Sequence, residues 1–347
     1  MPSPAGRPSA VAYHHVDVFS AAAYAGNSVA VIVDPPPLAS EQMALITQEL
    51  RHFETVFVQT GPAAAHAKAR VFDLDGELDF AGHPVLGAAA VLHHATDAAP
   101  GEYRDWTISL KARSVRVRTI RQAEGHVSAV MDTGRPQFLR TLPRAAAPAV
   151  AAALDLTAAD LDDNLPLEVV STGLRYLIVP VRQGVLARTR IRHDDFTGFL
   201  DAHGAQFAYV LDAAALEGRH WNNDGIVEDV ATGSAASCVA GFLLRHGLAG
   251  DGEERSLAQG RFLGRPSRLA ITAFGSPGAV ERVTVGGDVA TVAAGTLLQL
   301  PATGALPRPP LPGRPATHMP NRVRRTASTA ASGPLTSTWA ARCRPNR

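Results

Sequence analysis

Residues 77–92, ELDFAGHPVLGAAAVL, decide how the chain is read. An acidic, strand-like lead-in breaks at Ala81-Gly82-His83-Pro84 and gives way to a run of small apolar residues. Gly82 is free to take backbone conformations that other residues avoid, and Pro84 suits the first turn of a helix, where no amide hydrogen is needed. The stretch therefore predicts a strand, a tight turn and a helix whose first turn is open. Unpaired amides at such a turn, reinforced by the helix dipole, attract an anion such as a carboxylate. His83 stands at that mouth, able to donate a hydrogen bond or carry a proton.

A second stretch, EDVATGSAASCVAGFL at 228–243, repeats the pattern. Setting Gly82 against Gly233 aligns His83 with Ser234, Ala89 with Ala240 and Leu92 with Leu243, and each unit has an acidic lead-in. Two such strand, turn and helix units point to two pseudo-equivalent domains facing each other. A small anionic ligand would then lie between the two helix mouths.

Composition agrees with a two-domain globular protein: 347 residues, 46% apolar, are enough for a sizeable core. The formal charge of +1 hides an asymmetry, because eight Arg and no Lys, Asp or Glu follow Pro301. Removing those eight from 33 leaves 25 basic against 32 acidic residues, so the body is mildly acidic and the tail basic. Two cysteines, Cys238 and Cys343, are too few for a disulfide framework or a thiolate metal site. No apolar run reaches the roughly 18 to 20 residues of a membrane span, and MPSPAGRPSA at the N-terminus lacks the apolar core of a signal peptide. The expectation is a soluble, cytoplasmic protein with no membrane or nucleic-acid partner.

Along the chain, residues 1–10 read as a flexible leader. Strands are predicted at 12–19, 28–33, 53–60 and in a hairpin over 67–80, with a helix at 40–51 capped by Ser40. Strands follow at 106–120 and 126–134, a helix at 143–156, a strand pair at 167–181, a helix at 193–204 and a strand at 205–212. The last predicted segments, 259–274 and 281–300, are strand-rich with turns at Gly264-Arg265-Pro266 and Gly286-Gly287. The predicted domains are 11–126 and 127–301. Beyond them, 302–347 is rich in Pro and Arg without periodicity and reads as a disordered segment, either a dispensable extension or a basic arm for an acidic partner.

The chain lacks a GxxxxGK(S/T) phosphate loop, a strand-linked GxGxxG turn, an HExxH helix and a CxxC pair, which excludes the usual nucleotide, nicotinamide and zinc chemistries. The pairs His14-His15 and His93-His94 read as surface or packing residues. Four proton-handling groups stand near predicted turns: Glu54, His83, Asp229 and Ser234. Each has a structural reading as well, Glu54 as a solvated or ion-paired strand start, Asp229 and Ser234 as helix caps.

RHFETVFV, ELDFAGHPVLGAAAVL, GIVEDVATGSAAS and QGRFLGRPS, in that order and after VDVFSAAAYAGNSVAVIV, resemble the phenazine-biosynthesis PhzF-like family. The similarity runs from about residue 12 to 300. It implies the α+β diaminopimelate epimerase-like fold, with two domains of like topology, each a β-barrel-like sheet around a central helix. It also implies cofactor-free, metal-free proton transfer on a small carboxylic substrate, and a homodimer. Glu54 matches the family's acid/base glutamate. His83, Asp229 and Ser234 match supporting polar residues, and Gly82, Gly233 and Thr232 match the substrate-binding turns.

Neither turn carries the cysteine that relatives in the epimerase fold use in pairs, and Cys238 lies a full helical turn beyond Ser234. Two positions depart from the family pattern. Val230 stands where a proline commonly follows the aspartate, and Phe53 where a small polar residue commonly precedes the glutamate. A reshaped pocket wall makes another secondary-metabolite precursor, such as a cyclic amino acid on the way to an antibiotic, as fitting a substrate as a phenazine precursor. The competing readings are a hydrolase with Ser234 as nucleophile, His83 as base and Asp229 as orienter, and a small-acid binding protein without turnover.

Overall fold

The valine-rich runs become strands, as their β-branched alternation predicts. A computed structural model describes residues 10–62, 65–302 and 304. The leader up to residue 9, Cys343 and nearly all of the basic tail lie outside the described residues. The first half holds β1 (Val11–Val18), β2 (Asn27–Val33), α1 (Ser40–Leu50), β3 (Glu54–Thr60), β4 (His66–Asp73), β5 (Glu77–Leu78) and α2 (His83–His94). Then come β6 (Tyr103–Ser109), β7 (Ser114–Arg121) and β8 (Val127–Gly134). The second half holds β9 (Gln137–Thr141), α3 (Ala147–Ala153), β10 (Glu168–Ser171), β11 (Arg175–Val181), α4 (Phe196–Ala202), β12 (Phe207–Asp212) and β13 (Glu217–Arg219). It ends with α5 (Gly233–Arg245), β14 (Glu254–Gln259), β15 (Ser267–Ser276) and β16 (Ala279–Leu297).

Strands β1, β2, β3, β4, β6, β7, β8 and β16 pair in that order, and β16 closes back onto β1 to make a barrel. Helix α2 fills it. Every residue from His83 to His93 is buried, so the helix has no solvent face, consistent with its low polarity all round. Small residues let it in: a Cβ on Gly87 would stand 2.8 Å from Val29 Cγ1 and 3.1 Å from Val16 Cγ2. From β16 the ladder runs on through β15, β14, β13, β12, β11, β10 and β9, and this second sheet packs on α5. Two like sheets, each around a central helix, are the α+β epimerase-like architecture expected from the resemblance. All described residues fall in one compact unit. Segments 11–126 and 127–301 remain our proposed domains, with β8 and the end of β16 paired back into the first barrel. Among the described residues no helix is long and apolar enough to cross a membrane.

Two local expectations are corrected. Ser40 is not the N-cap of α1 but its first residue. The Gln42 side chain accepts the Ala39 amide at 3.0 Å, while the Ser40 hydroxyl accepts from Arg70 at 2.7 Å. Gly286-Gly287 is not a turn but the middle of a 19-residue strand. There the two glycines let three chains approach: a Cβ on Gly286 would lie 2.4 Å from the Ala129 carbonyl oxygen, and one on Gly287 would lie 2.9 Å from that of Arg268. Glycine in a strand interior marks such close approach more often than a reversal.

Candidate active site

Helix α1 ends with Arg51 in the left-handed region, φ 58°. That bend delivers Glu54 as the first residue of β3, beside Val29 of β2 on one edge and Asp73 of β4 on the other. The Glu54 side chain is 12% exposed, and its Oε2 lies 3.4 Å from His83 Nδ1. Burial pushes the Glu54 carboxyl well above the usual carboxylate range, and the negative charges of Asp73 and Asp229 push it the same way. His83, also buried, goes the other way. Desolvation lowers its pKa to about 4, against the pull of Asp229 and a hydrogen bond to the Ser28 backbone, so at neutral pH the ring is uncharged.

Two buried atoms in this pair have no hydrogen-bond partner, Glu54 Oε2 and His83 Nε2. Buried polar atoms of native proteins are nearly always satisfied. An open pair at one place marks where a further molecule would complete the network.

Gly82 and Gly233 bring the two helix N-termini face to face. A Cβ on Gly82 would stand 3.8 Å from Gly233 Cα and from the Ser234 amide nitrogen, and one on Gly233 would stand 4.0 Å from the His83 nitrogen. Neither helix has a side-chain cap. The sequence expectation for Gly82 was right in place but not in reason. Its φ is −89°, open to any residue, and what glycine supplies there is room between the mouths. Pro84 sits in the first turn of α2, as expected.

Asp229 lies in the lead-in to α5, and its carboxylate is fully engaged. It accepts from Asn27 Nδ2 at 3.0 Å, the Thr232 hydroxyl at 2.7 Å and the Ala231 amide at 3.4 Å. Asn27 also donates to the Ala231 carbonyl at 2.9 Å, so one side chain from the first half stitches the Asp229 turn of the second. Gln259 completes the stitch: it donates to the Asp229 carbonyl and the Thr232 hydroxyl, and accepts from the Thr232 amide and the Tyr209 hydroxyl. The Ser234 hydroxyl meets the Tyr176 hydroxyl at 2.8 Å. Burial raises the Tyr176 phenol, keeping it a neutral hydrogen-bonding group.

All seven sequence-derived site residues thus come to one place, where the halves meet. The relay needed for a hydrolase is not formed: Ser234 is bonded to Tyr176, and Asp229 to Asn27, Thr232 and the Ala231 amide. Cys238 is a core residue of α5, its thiol 3.4 Å from the Val170 carbonyl and pushed up by burial to about 12. Of the histidine pairs, His93 is fully buried against the Thr119 hydroxyl at 2.7 Å, a packing role. Among the described residues no cluster of three His, Cys, Asp or Glu is placed to hold a metal ion. Sequence reading missed Asn27, Tyr176 and Gln259. Gln259 opens the quoted QGRFLGRPS stretch and Asn27 ends the Ala25-Gly26-Asn27 turn, while Tyr176 has no local signal at all.

Known proteins show the family and the fold of the chain. The sequence model of the family described as phenazine biosynthesis-like protein, PhzC-PhzF, matches residues 16–295. The trans-2,3-dihydro-3-hydroxyanthranilate isomerase of Pseudomonas chlororaphis is 31% identical over 294 residues, 82% of this chain and 99% of that protein. Among solved structures, a predicted epimerase from Pseudomonas aeruginosa superposes with a TM-score of 0.75 at 43% identity, covering 83% of this chain and 99% of its own. A hydroxyproline epimerase from Agrobacterium vitis, 12% identical, matches with a TM-score of 0.52 over 84% of this chain and 93% of its own, a likeness of fold alone.

Proposed function

The chain belongs to the phenazine biosynthesis-like PhzC-PhzF family and is an isomerase, and from that premise we propose that it moves a proton between carbons of a small unsaturated amino or hydroxy acid without a cofactor. The observation that carries this reading is Glu54: a buried carboxyl with a raised pKa and an open Oε2, 3.4 Å from a neutral histidine. A group that removes a proton from one carbon and returns it to another must be both basic and acidic near the working pH, and an ordinary glutamate near 4.5 is too weak a base. Burial supplies the correction.

In the proposed step the ionised Glu54 takes the proton from the donor carbon. The electron pair delocalises through the conjugated system toward the substrate carboxylate, and the neutral Glu54 then protonates the far carbon, so the double bond migrates with no net change in atoms. The facing amides at Gly82 and Gly233, with Thr232 beside them, hold the substrate carboxylate and stabilise the charge as it develops. His83 and Ser234 offer hydrogen bonds as neutral groups, and Asp229 is the fixed carboxylate that, with Asp73, keeps Glu54 protonated between steps. The substrate belongs to a secondary-metabolite pathway, and trans-2,3-dihydro-3-hydroxyanthranilate, on which the Pseudomonas chlororaphis relative acts, is the first acid to try.

The test is incubation in deuterated water with that acid and a panel of small unsaturated acids, read by mass spectrometry. One deuteron at the acceptor carbon of the isomerised product is expected. That label enters by exchange of the Glu54 proton before its return; hydrolysis products in place of an isomer would remove Glu54 from the role. The homodimer is part of the same proposal, and sedimentation of a monomer would end it.

Because Asn27 holds Asp229 from the opposite half, Asn27→Ala is expected to lower turnover by about 10- to 100-fold through misplacement of the carboxylate. It should also destabilise the fold by about 1–3 kcal/mol, the cost of a buried acceptor left unmet. Kinetics and thermal melting of the purified variant check both; unchanged turnover would show that Asp229 needs no such support.

A further inference from the structure

Beside Asp229 lies a cavity of about 150 Å³ lined by Asn27, Ser28, Phe53, Glu228, Val230 and Arg265 as well as Asp229 itself. It touches the proposed machinery directly. Asn27 holds Asp229, and the Ser28 backbone is bonded to His83. Its two apolar walls, Phe53 and Val230, immediately flank Glu54 and Asp229 in sequence.

Glu228 and Arg265 are already paired, while Asp229 keeps a negative charge held only by neutral donors. Glu228 takes a bidentate pair from Arg219 at 2.8 and 2.7 Å. Asp229 is saturated by Asn27, Thr232 and the Ala231 amide. Arg265 donates to Asp17 at 2.7 Å and to the carbonyls of Gly26 and Ala25 at 2.8 and 3.4 Å. A second carboxylate entering the cavity would lose its water, face the charge of Asp229 and find Arg265 already paired with Asp17, which is costly. A neutral group would lose little and gain contact with Phe53, which is 37% exposed. A void of about 150 Å³ in another protein's apolar core accepts one benzene molecule, which sets the size limit.

We propose that this cavity selects acids whose end remote from the carboxylate carries no second negative charge and is no larger than a single ring, with Phe53 and Val230 as the specificity-determining walls. The inference deepens the proton-transfer reading and rests on it for where the carboxylate binds, at the facing helix mouths. Diacids are excluded by the same arrangement of charges.

Binding of non-reacting probes separates this selection from the chemistry. Phenylacetate, glutarate and 5-aminopentanoate present a ring, a second carboxylate and an ammonium group, and their affinities for the full-length protein can be measured by calorimetry. Phenylacetate is expected to bind at least about tenfold more tightly than glutarate, and 5-aminopentanoate, whose ammonium group meets Asp229, is also expected to bind more tightly than glutarate. The preference should persist in Glu54→Gln, which removes the proton carrier and leaves the cavity, so failure of the proton-transfer reading would not disturb it. Phe53→Ser is expected to weaken phenylacetate by about tenfold, the scale of a lost apolar wall contact, and to leave glutarate unchanged. Binding of glutarate as tight as that of phenylacetate or 5-aminopentanoate, no binding of phenylacetate, or an unaltered preference in Phe53→Ser would each overturn the proposal.

Discussion

Glu54→Gln is expected to lower turnover by about 100- to 10,000-fold, the usual contribution of a positioned acid/base group, while making the protein more stable at neutral and alkaline pH. The two effects have one cause. A carboxyl whose pKa is raised by folding binds its proton more tightly in the fold than in the unfolded chain. Its contribution to stability is therefore present at low pH and is lost as the pH rises from the ordinary value near 4.5 toward the raised one. Glutamine never ionises and escapes that loss. Melting curves of wild type and variant should diverge as the pH rises and converge toward acid pH, with the variant higher. The kinetic sign runs the opposite way. Glu54 must be ionised to take the first proton, so the wild-type kcat/KM should fall as the pH drops through the raised pKa, on an acid limb lying above the usual carboxylate range. That limb should vanish from the residual activity of the variant. A variant that is inactive but less stable than wild type at every pH would mean that Glu54 is structural.

His83 supplies an independent pH signature. Its pKa of about 4 in the fold lies below the ordinary 6.5, so the neutral ring favours the fold above the ordinary value and that contribution is lost as the pH falls toward 4. Glu54 and His83 thus pull the pH dependence of stability in opposite directions, and the single substitution of Glu54 exposes the histidine's share. Such a pair of buried groups displaced toward neutrality is costly to the fold, and groups of this kind cluster at functional sites.

How much of this was legible in the sequence depended on how local each cause is. Gly82-His83-Pro84 and Thr232-Gly233-Ser234 could be read directly, because a turn and a helix start are fixed by the residues that form them. Their facing one another followed only from the internal repeat. Glu54 looked like any strand start. Its altered chemistry comes from burial by two other strands and from Asp73 and Asp229, which the sequence places far away. Asn27 and Asp229 are 202 residues apart and Tyr176 and Ser234 are 58 apart, so no spacing rule connects either pair. Gly286-Gly287 misled for the same reason: a glycine pair announces backbone freedom locally, but here it answers a constraint imposed by β8 and β15.

That constraint predicts a large loss of stability at a site remote from the cleft. Gly286→Ala is expected to cost about 3 kcal/mol or more, the upper range for forcing an atom into a packed interior. The added Cβ would lie 2.4 Å from the Ala129 carbonyl oxygen and 2.8 Å from Val130 Cα, both backbone atoms that no rotamer change can move aside. Relief requires β16 to separate from β8, and β16 is the strand that continues from the second sheet into the barrel and closes on β1. The damage cannot stay within one half. It shifts the strand that sets the barrel against the second sheet, and with it the approach of Gly82 to Gly233 and the 3.0 Å bond from Asn27 to Asp229. Denaturant melts should therefore show a lowered midpoint in a single transition, and the molecules that remain folded should bind phenylacetate poorly as well. A normal midpoint would mean that the strands can spread at no cost, and that the alignment of the two helix mouths is set elsewhere than at this crossing.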